Sequence, residues 1–241
     1  MDAGDIEALE RATVAAVAPP EVAEFDGWLA AFDDGAISRA KSAVPLSQTA
    51  SPEPIGAIEE AYRGRGLPPA FRIAEVEGLA PVRDELARRG YVGARPSAVM
   101  VADARKVASF AIPFADLLDT PDEAWGQVFL SEGFDPGDGA YRVKALTRSP
   151  DALYGAVREG GRTVAVGVVS FGFGWAGVHG MRTTQERRGS GLASRLLAVF
   201  GTAALARGVP RIFLQVEEGN PARELYRRAG FEPAWTYRYW G

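Results

Sequence analysis

Residues 178–197 read VHGMRTTQERRGSGLASRLL, and this stretch decides the fold. Farther along the chain, residues 212–220 read IFLQVEEGN and residues 221–231 read PARELYRRAGF. Short apolar runs are typical of strands, and apolar residues three and four positions apart are typical of helices. The region therefore predicts a strand, a turn rich in arginine and glycine, a helix, a second strand and a second helix.

The turn before the first helix carries the chemistry of this region. It consists of Arg187, Arg188, Gly189, Ser190 and Gly191. Glycine adopts backbone conformations that are closed to other residues, and it lets an anion approach the main chain. The first N–H groups of a helix have no partner within the helix and lie at the positive end of its dipole. Together with the two arginines, these groups predict a site for a pyrophosphate.

Two common phosphate-binding patterns do not fit this turn. A P-loop requires a lysine after its second glycine, and no lysine stands near the turn. A dinucleotide fingerprint fits Gly189, Gly191 and Ser194 only loosely. The acidic residue of that fingerprint is also missing from its usual place, because Glu217 lies farther along the chain.

A third pattern fits much better. Arg188-x-x-Gly191-x-Ala193 resembles the acyl-CoA pyrophosphate loop of the Gcn5-related N-acetyltransferase (GNAT) family. The later segment N-x-x-x-x-L-Y-x-x-x-G-F, from Asn220 to Phe231, is similar to the second signature of that family. The two motifs occur in the family's order and at its spacing. One departure is Gln185, which replaces the usual proline before the arginines.

The resemblance implies an α/β protein with a mixed, mostly antiparallel sheet flanked by helices, and acetyl-CoA as the co-substrate. It implies no metal. Main-chain groups of the strand before the turn would bind the cofactor arm, and the turn would bind the pyrophosphate. The implied cofactor-binding residues are Met181, Arg182, Thr183, Arg187, Arg188, Gly189, Ser190, Gly191, Leu192, Ala193, Ser194, Asn220 and Tyr226.

Each candidate catalytic residue also has a purely structural interpretation. The resemblance implies that Tyr226 lies beside the thioester sulfur and protonates the leaving thiolate, but a tyrosine on an amphipathic helix can simply pack. Glu217 ends a strand and is a candidate general base, either directly or through water. It could equally be a solvated carboxylate. Asn220 could cap a helix instead of binding the cofactor. His179 is a second candidate base and ranks lower, because it lies away from the loop.

Composition narrows the remaining classes of function. The 241 residues carry a net charge of −4, which argues weakly against nucleic acid as a partner. There is no cysteine and only one histidine, so disulfides, a thiol nucleophile and a histidine-rich metal site are excluded. No apolar run approaches the length of a membrane span, and the first residues do not resemble a signal peptide. We therefore expect a cytoplasmic protein without a membrane partner.

An internal repeat predicts two copies of one domain. Residues 65–68, RGLP, recur as residues 207–210, RGVP, and LARRGY at 86–91 recurs as LYRRAGF at 225–231. The first copy lacks the arginine-glycine loop, because residues 45–56 read PLSQTASPEPIG. The resemblance is thus to a tandem GNAT protein. We expect a degenerate domain at residues 1–115 and an acetyl-CoA-binding catalytic domain at residues 122–241.

Several local elements follow from periodicity. Helices are predicted at residues 5–17, 53–63 and 122–130, and an amphipathic helix at residues 21–32. Residues 36–46 are predicted as a strand, and Gly133 to Gly139 as a turn-rich loop. Aromatic residues are expected along an acceptor groove between the two halves; they are Phe171, Phe173, Trp175, Trp235 and Tyr237.

The resemblance implies direct acetyl transfer from acetyl-CoA to a primary amine in a ternary complex. The sequence does not identify the acceptor, which could be a small molecule or a peptide, and it does not indicate the oligomeric state. Two other classes of function stay open. The chain could be a non-catalytic acyl-CoA-binding module, or an interaction protein that retains an unused loop.

Overall fold

The computed structural model describes residues 1–133 and 135–241, and all its strands belong to one sheet. The helices are α1 (Ala3–Val17), α2 (Ile55–Arg63), α3 (Ala80–Arg88), α4 (Ala104–Ala108), α5 (Glu123–Gln127), α6 (Pro136–Leu146), α7 (Leu192–Ala206) and α8 (Ala222–Arg228). The strands are β1 (Glu21–Phe25), β2 (Trp28–Phe32), β3 (Ala43–Pro45), β4 (Phe71–Ala74), β5 (Gly93–Asp103), β6 (Asp116–Leu118), β7 (Ala152–Glu159), β8 (Arg162–Gly172), β9 (Trp175–Thr183), β10 (Arg211–Glu217) and β11 (Glu232–Trp240).

The strands lie in the order β1-β2-β3-β4-β11-β5-β10-β9-β8-β7-β6. Only β3–β4 and β9–β10 are parallel among these pairs, so the sheet is mixed and mostly antiparallel. This architecture confirms the predicted fold class. No helix in the described ranges is long and apolar enough to cross a bilayer.

The two halves of the chain exchange their last strands. β5 ends the first half but pairs with β10 of the second half, and β11 ends the second half but pairs with β4 of the first. The two exchanged strands also pair with each other in the middle of the sheet. The predicted boundary between residues 115 and 122 stays a prediction, and strands cross between the halves on either side of it.

The internal repeat is visible in matching turns. Tyr91 N–H donates to the carbonyl of Leu86 over 3.0 Å, and Phe231 N–H donates in the same way to the carbonyl of Tyr226 over 3.0 Å. Each turn leads from a helix, α3 or α8, into an exchanged strand, β5 or β11. The two halves therefore repeat the same helix–turn–strand unit.

The predicted helix at residues 21–32 is wrong. These residues form a hairpin in which Phe25 and Trp28 pair across the turn Asp26-Gly27. Both turn residues have positive φ, +39° and +81°, which matches the preference of two-residue hairpins for Asp-Gly. Of the apolar residues at helical spacing, Trp28 and Leu29 are buried in β2, whereas Val22 of β1 is exposed.

Two further local predictions need correction. Residues 38–41 form a short 3₁₀ turn, so only Ala43–Pro45 of the predicted strand at residues 36–46 is a strand. The predicted loop from Gly133 to Gly139 includes Phe134, which lies outside the described residues. The loop prediction is wrong from Pro136 onward, because α6 begins there. Asp135 caps α6 by accepting a hydrogen bond from Asp138 N–H, and Pro136 occupies the first turn.

Helix α7 and helix α1 cover opposite faces of the central strands. Leu196, Leu197 and Phe200 of α7 are fully buried against alternate residues of β8, β9 and β10. On the other face, α1 packs on β8 and β9, and Phe213 of β10 belongs to the core that contains Leu9 of α1. The sheet is thus the middle of three layers, and an opening between two strands would be enclosed by helices.

Candidate active site

The sheet opens between β9 and β10. The two strands pair at only three positions, ending at Val178 and Leu214, although β9 continues to Thr183 and β10 to Glu217. Beyond these positions, β9 pairs with β8 and β10 pairs with β5. The facing main-chain groups of the two strands therefore have no strand partner in this part of the described chain, and they are available to a ligand.

A bulge in β9 lies beside this opening. His179 pairs with Val168 and Arg182 pairs with Val166, so Gly180 and Met181 together face a single residue of β8. A bulge re-aims the main chain and the side chains of its strand. Met181 of this bulge is the first residue of the stretch from Met181 to Thr183, for which the resemblance implied main-chain binding of the cofactor.

The opening leads into a cavity of about 1000 Å³, which is large enough for the arm of a coenzyme and an acceptor. Residues of both halves line it. Among the predicted site residues, those on the wall are Met181, Arg182, Thr183, Arg188, Ala193, Glu217, Asn220 and Tyr226.

The predicted anion loop lies at one edge of this cavity. Gly189 and Gly191 have φ of +77° and +76°, and open space surrounds the position where each would carry a Cβ. Gly191 is the residue before α7, a helix of 15 residues, and the N–H groups of the first turn point out of the helix. Arg188 lines the cavity beside them. This geometry is compatible with a pyrophosphate, and the binding site stays a prediction.

The remaining predicted cofactor residues do not line the cavity. Arg187 forms an ion pair with Glu159, and the side chain of Leu192 is buried in the core. A cofactor could reach these residues only through the main chain or at the edge of the site. The same holds for Gly189, Ser190, Gly191 and Ser194, which surround the start of α7.

Tyr226 of α8 reaches the cavity from the core. Its side chain is only 9% exposed and packs edge-on against Phe231, with ring centroids 6.2 Å apart. Burial raises the pKa of the Tyr226 phenol above its ordinary value, so the hydroxyl stays protonated at neutral pH. Tyr226 therefore packs in the core and also lines the cavity. Its hydroxyl is able to donate a proton or a hydrogen bond.

Glu217 and Asn220 lie at the end of β10 and in the turn that follows it. Glu217 is exposed and is the last residue of the strand. The side-chain oxygen of Asn220 accepts a hydrogen bond from Ala222 N–H over 2.9 Å, at the start of α8. Asn220 therefore supports the start of α8 from the residue before Pro221, which is the N-cap, and Asn220 also lines the cavity. Its amide N–H groups can donate to a ligand.

His179 is buried, although it lines the cavity. Its Nε2 lies 3.1 Å from the hydroxyl of Ser170, and its ring packs edge-on against Phe213. Burial, with a smaller effect of the Arg39 charge, holds the pKa of His179 well below its ordinary value. The imidazole is thus neutral, and a weakly basic group of this kind is a poor base for an ammonium.

The sequence did not predict several residues of the cavity. Arg39 and Arg95 come from the first half of the chain and Tyr239 comes from β11, and all three line the cavity with Gln215 of β10. No local motif marks these positions.

Four of the five aromatic residues expected along the acceptor groove lie elsewhere. Trp175 and Trp235 are buried, and Trp175 packs on Phe213 outside this cavity. Phe171 stacks against Arg207, and Phe173 is exposed in the turn between β8 and β9. Of this set, only Tyr237 lines the cavity.

The family described as "Probable histone acetyltransferase Rv0428c C-terminal" matches residues 3–240. The chain belongs to this acetyltransferase family. A Mycobacterium tuberculosis protein named Probable histone acetyltransferase Rv0428c is 31% identical over 223 residues, covering 88% of this chain and 66% of that protein. The chain thus spans just under two thirds of this relative. Uncharacterized N-acetyltransferase YobR of Bacillus subtilis is 27% identical and covers 98% of both chains.

Solved structures of GNAT proteins share the fold. A GCN5-related N-acetyltransferase from Kribbella flavida superimposes with a TM-score of 0.69 at 17% identity, covering 98% of this chain and 95% of that one. A tandem GNAT protein from the clavulanic acid biosynthesis pathway superimposes with a TM-score of 0.65 at 17% identity, covering 98% and 94%. These results confirm the predicted GNAT family and the acetyltransferase class of enzyme.

Proposed function

We propose that this GNAT protein transfers an acetyl group from acetyl-CoA directly to a primary amine, with both substrates bound at once. The observation that carries the proposal is the opening between β9 and β10. It places unpaired main-chain groups, the loop before α7, Tyr226 and Glu217 around one cavity. Binding both substrates in one cavity would supply much of the rate by proximity.

The residues of the chain fit acetyl-CoA. The main chain of the loop and Arg188 offer donors for the pyrophosphate, and the facing edge of β9 offers hydrogen bonds to an extended amide arm. When bound, acetyl-CoA supplies an activated thioester. Main-chain N–H groups beside the β9 bulge would stabilise negative charge on the carbonyl oxygen during the transfer.

Two side chains have roles in proton transfer. Glu217, the carboxylate of the described cavity wall, would remove a proton from the acceptor ammonium, directly or through water. The amine nitrogen then forms the new bond to the acetyl carbon while the bond from that carbon to sulfur breaks, and the nitrogen releases its second proton to water. Tyr226 would give its proton to the departing thiolate, because its raised pKa keeps it protonated.

Calorimetric titration with acetyl-CoA tests the first part of this proposal. We expect micromolar binding by the wild type and loss of binding in the double variant Arg188→Ala, Gly191→Pro. Arg105→Ala is the matched control, because Arg105 is an exposed arginine on α4 outside the cavity. Wild-type protein that does not bind acetyl-CoA would contradict the proposal.

Release of the CoA thiol tests turnover, and the protein adds no background to a thiol reagent because it has no cysteine. Neither rival function would release thiol in this assay, and acetyl-CoA binding and the Arg188→Ala variant distinguish the two rivals from each other. A non-catalytic acyl-CoA-binding module would bind acetyl-CoA, but no amine would be acetylated. An interaction protein with an unused loop would keep all its activities in Arg188→Ala.

The name of the M. tuberculosis relative offers one candidate acceptor, a lysine side chain of a protein. The wide cavity accepts either a small molecule or the tip of a peptide side chain. A panel of amines that includes a lysine-rich peptide therefore belongs in the first turnover experiment.

A further inference from the structure

The wall of the active-site cavity is strongly cationic. Across the described residues, Glu217 is its one carboxylate, and it also carries five arginines: Arg39, Arg95, Arg142, Arg182 and Arg188. The phosphates of acetyl-CoA would account for cations near the loop before α7. Cations elsewhere on the wall require another explanation.

The first group of arginines belongs with the loop. Arg182 feels the charges of Arg142, Asp138 and Arg188, and burial is the largest effect that lowers its pKa. Arg142 is itself paired with Asp138, with 2.7 Å between Nε and the carboxylate oxygen. Arg188 belongs to the predicted pyrophosphate loop, Arg182 feels its charge, and Arg142 has a counter-ion in Asp138.

The second group, Arg39 and Arg95, comes from the first half of the chain. The Arg95 guanidinium lies over the ring of Tyr239, 4.7 Å from its centroid. Arg39 donates a hydrogen bond to the side-chain oxygen of Gln215 over 3.3 Å, and its charge acts on both Tyr239 and His179. Within the described ranges, neither arginine has a carboxylate at ion-pair distance.

The surroundings of Gln215 do not neutralise this charge. Its oxygen also accepts a hydrogen bond from the Tyr237 hydroxyl over 3.1 Å, and its amide donates to the Thr13 hydroxyl over 3.2 Å. These partners are all neutral. The buried Arg72, which lies against the Tyr237 ring, has its own counter-ion in Glu10. Glu10 is thus neutralised by Arg72, and neither it nor another carboxylate of the described chain pairs with Arg39 or Arg95.

We propose that the acceptor is a small primary amine that also carries a carboxylate, which Arg39 and Arg95 bind while the amine faces Glu217. This proposal rests on the proposed function. Ser97 is directly opposite Glu217 in the β5–β10 pair, and Arg95 is two residues before Ser97, so Arg95 and Glu217 line the cavity from neighbouring strands. An amino acid can present its amine to the carboxylate and its own carboxylate to the arginines. A polyamine or lysine-rich peptide would instead add positive charge to a cationic cavity.

Matched acceptors test this proposal in the full chain with acetyl-CoA. Glycine, L-alanine and L-phenylalanine are each compared with their carboxamides, and spermidine and a lysine-rich peptide complete the panel. The amine of a carboxamide is less basic and is more often unprotonated, so intrinsic reactivity favours the carboxamide. We expect kcat/KM nevertheless to favour the carboxylates by about tenfold or more.

Arg39→Gln and Arg95→Gln should abolish this preference by raising KM for the carboxylates. Turnover of the carboxamides and the affinity for acetyl-CoA should stay within about twofold of wild type. Arg39→Lys keeps the charge and should retain part of the preference. Arg105→Gln, an exposed arginine away from the cavity, should change nothing.

Three results would overturn the proposal: equal turnover of carboxylates and carboxamides, a preference for spermidine or the peptide, or an equal loss for every acceptor in Arg39→Gln and Arg95→Gln. Failure of the proposed function looks different, because acetyl-CoA would then not bind in calorimetry. In that case the carboxylate site is tested by titrating the amino acids into the protein without acetyl-CoA. Binding that Arg39→Gln removes supports the carboxylate site, and absence of binding overturns it.

Discussion

Gly191 and Gly208 lie just before and just after α7 and have nearly the same left-handed backbone, with φ of +76° and +70°. Neither has an atom within 4 Å of the position of a Cβ, so alanine would cause backbone strain but no clash at either site. Only Gly191 is part of the predicted anion loop. Comparing alanine substitutions at Gly191 and Gly208 therefore distinguishes an effect on acetyl-CoA binding from an effect on stability.

We expect Gly191→Ala and Gly208→Ala each to lower the free energy of unfolding by about 1 kcal/mol, because both force alanine into the left-handed region. Only Gly191→Ala should weaken acetyl-CoA binding, since strain relief there moves the main-chain donors of the loop. Urea unfolding and calorimetry measure the two effects. Equal acetyl-CoA affinities in the two variants would show that the loop before α7 does not bind acetyl-CoA.

Tyr226→Phe should lower kcat by about a hundredfold, the usual contribution of a general acid, and should leave acetyl-CoA affinity nearly unchanged. Tyr91→Phe is the control, because its hydroxyl bonds Glu59 far from the cavity. The acid acts when protonated, and burial raises its pKa. The wild-type kcat should therefore not be limited by Tyr226 at neutral pH, and loss of the Tyr226 proton should lower it only above about pH 10. A kcat for Tyr226→Phe equal to that of Tyr91→Phe would exclude acid catalysis by Tyr226.

Asp33 joins the first half of the chain to α6 and its following turn. It accepts hydrogen bonds from Tyr141 over 2.6 Å and from Arg148 over 2.7 Å. Burial alone would raise the pKa of Asp33, but these hydrogen bonds outweigh it and hold the pKa below its ordinary value. We expect Asp33→Asn to lower the free energy of unfolding at pH 7 by about 2 kcal/mol.

The pH dependence of this difference checks its origin. A lowered pKa in the folded state stabilises the protein above the unfolded pKa of about 3.9, and this contribution is lost as the pH falls through the folded pKa. The difference in unfolding free energy between wild type and Asp33→Asn should therefore shrink in urea unfolding when the pH is lowered from 7 to below the unfolded pKa. Asp34→Asn, at the exposed neighbouring position, should resemble wild type at both pH values. A difference that persists at low pH would contradict the ionic explanation.

Glu10 of α1 and Arg72 of β4 form a buried ion pair with 2.6 Å between oxygen and nitrogen. Glu10→Gln leaves a buried charge without its partner and should cost about 3 kcal/mol or more of unfolding free energy. The double variant Glu10→Leu, Arg72→Met should recover most of this loss. Glu224→Gln, in a pair that is mostly exposed, should change stability by less than about 0.5 kcal/mol. Equal losses in the single and double buried variants would show that packing alone matters there.

The second half of the chain was predicted well because its signals are local. The strand, turn and helix around Arg188 and Gly191 follow from periodicity and from two motifs that occupy adjacent elements. The hairpin around Asp26-Gly27 was missed because Val22, Phe25 and Leu29 also fit a helical spacing. There the turn residues were the better guide.

The side of the cavity that Arg39 and Arg95 line could not be predicted in the same way. Arg39 and Arg95 reach it only because strands of the first half pair with strands of the second, and no local pattern specifies a strand's partner. The buried positions of Trp175 and Trp235 have the same origin. A sequence reports which residues are aromatic, whereas the pairing of strands decides which of them face a cavity.

The exchange of strands also has a consequence for how this protein is made. β11 follows the other described strands in the sequence, yet it lies in the middle of the sheet between β4 and β5. A nascent chain cannot close this sheet until β11 has emerged from the ribosome, and until then two inner strands expose unpaired edges. Translation that stops before β11 would leave the centre of the molecule open. Emergence of β11 and assembly of the cavity are therefore the same event.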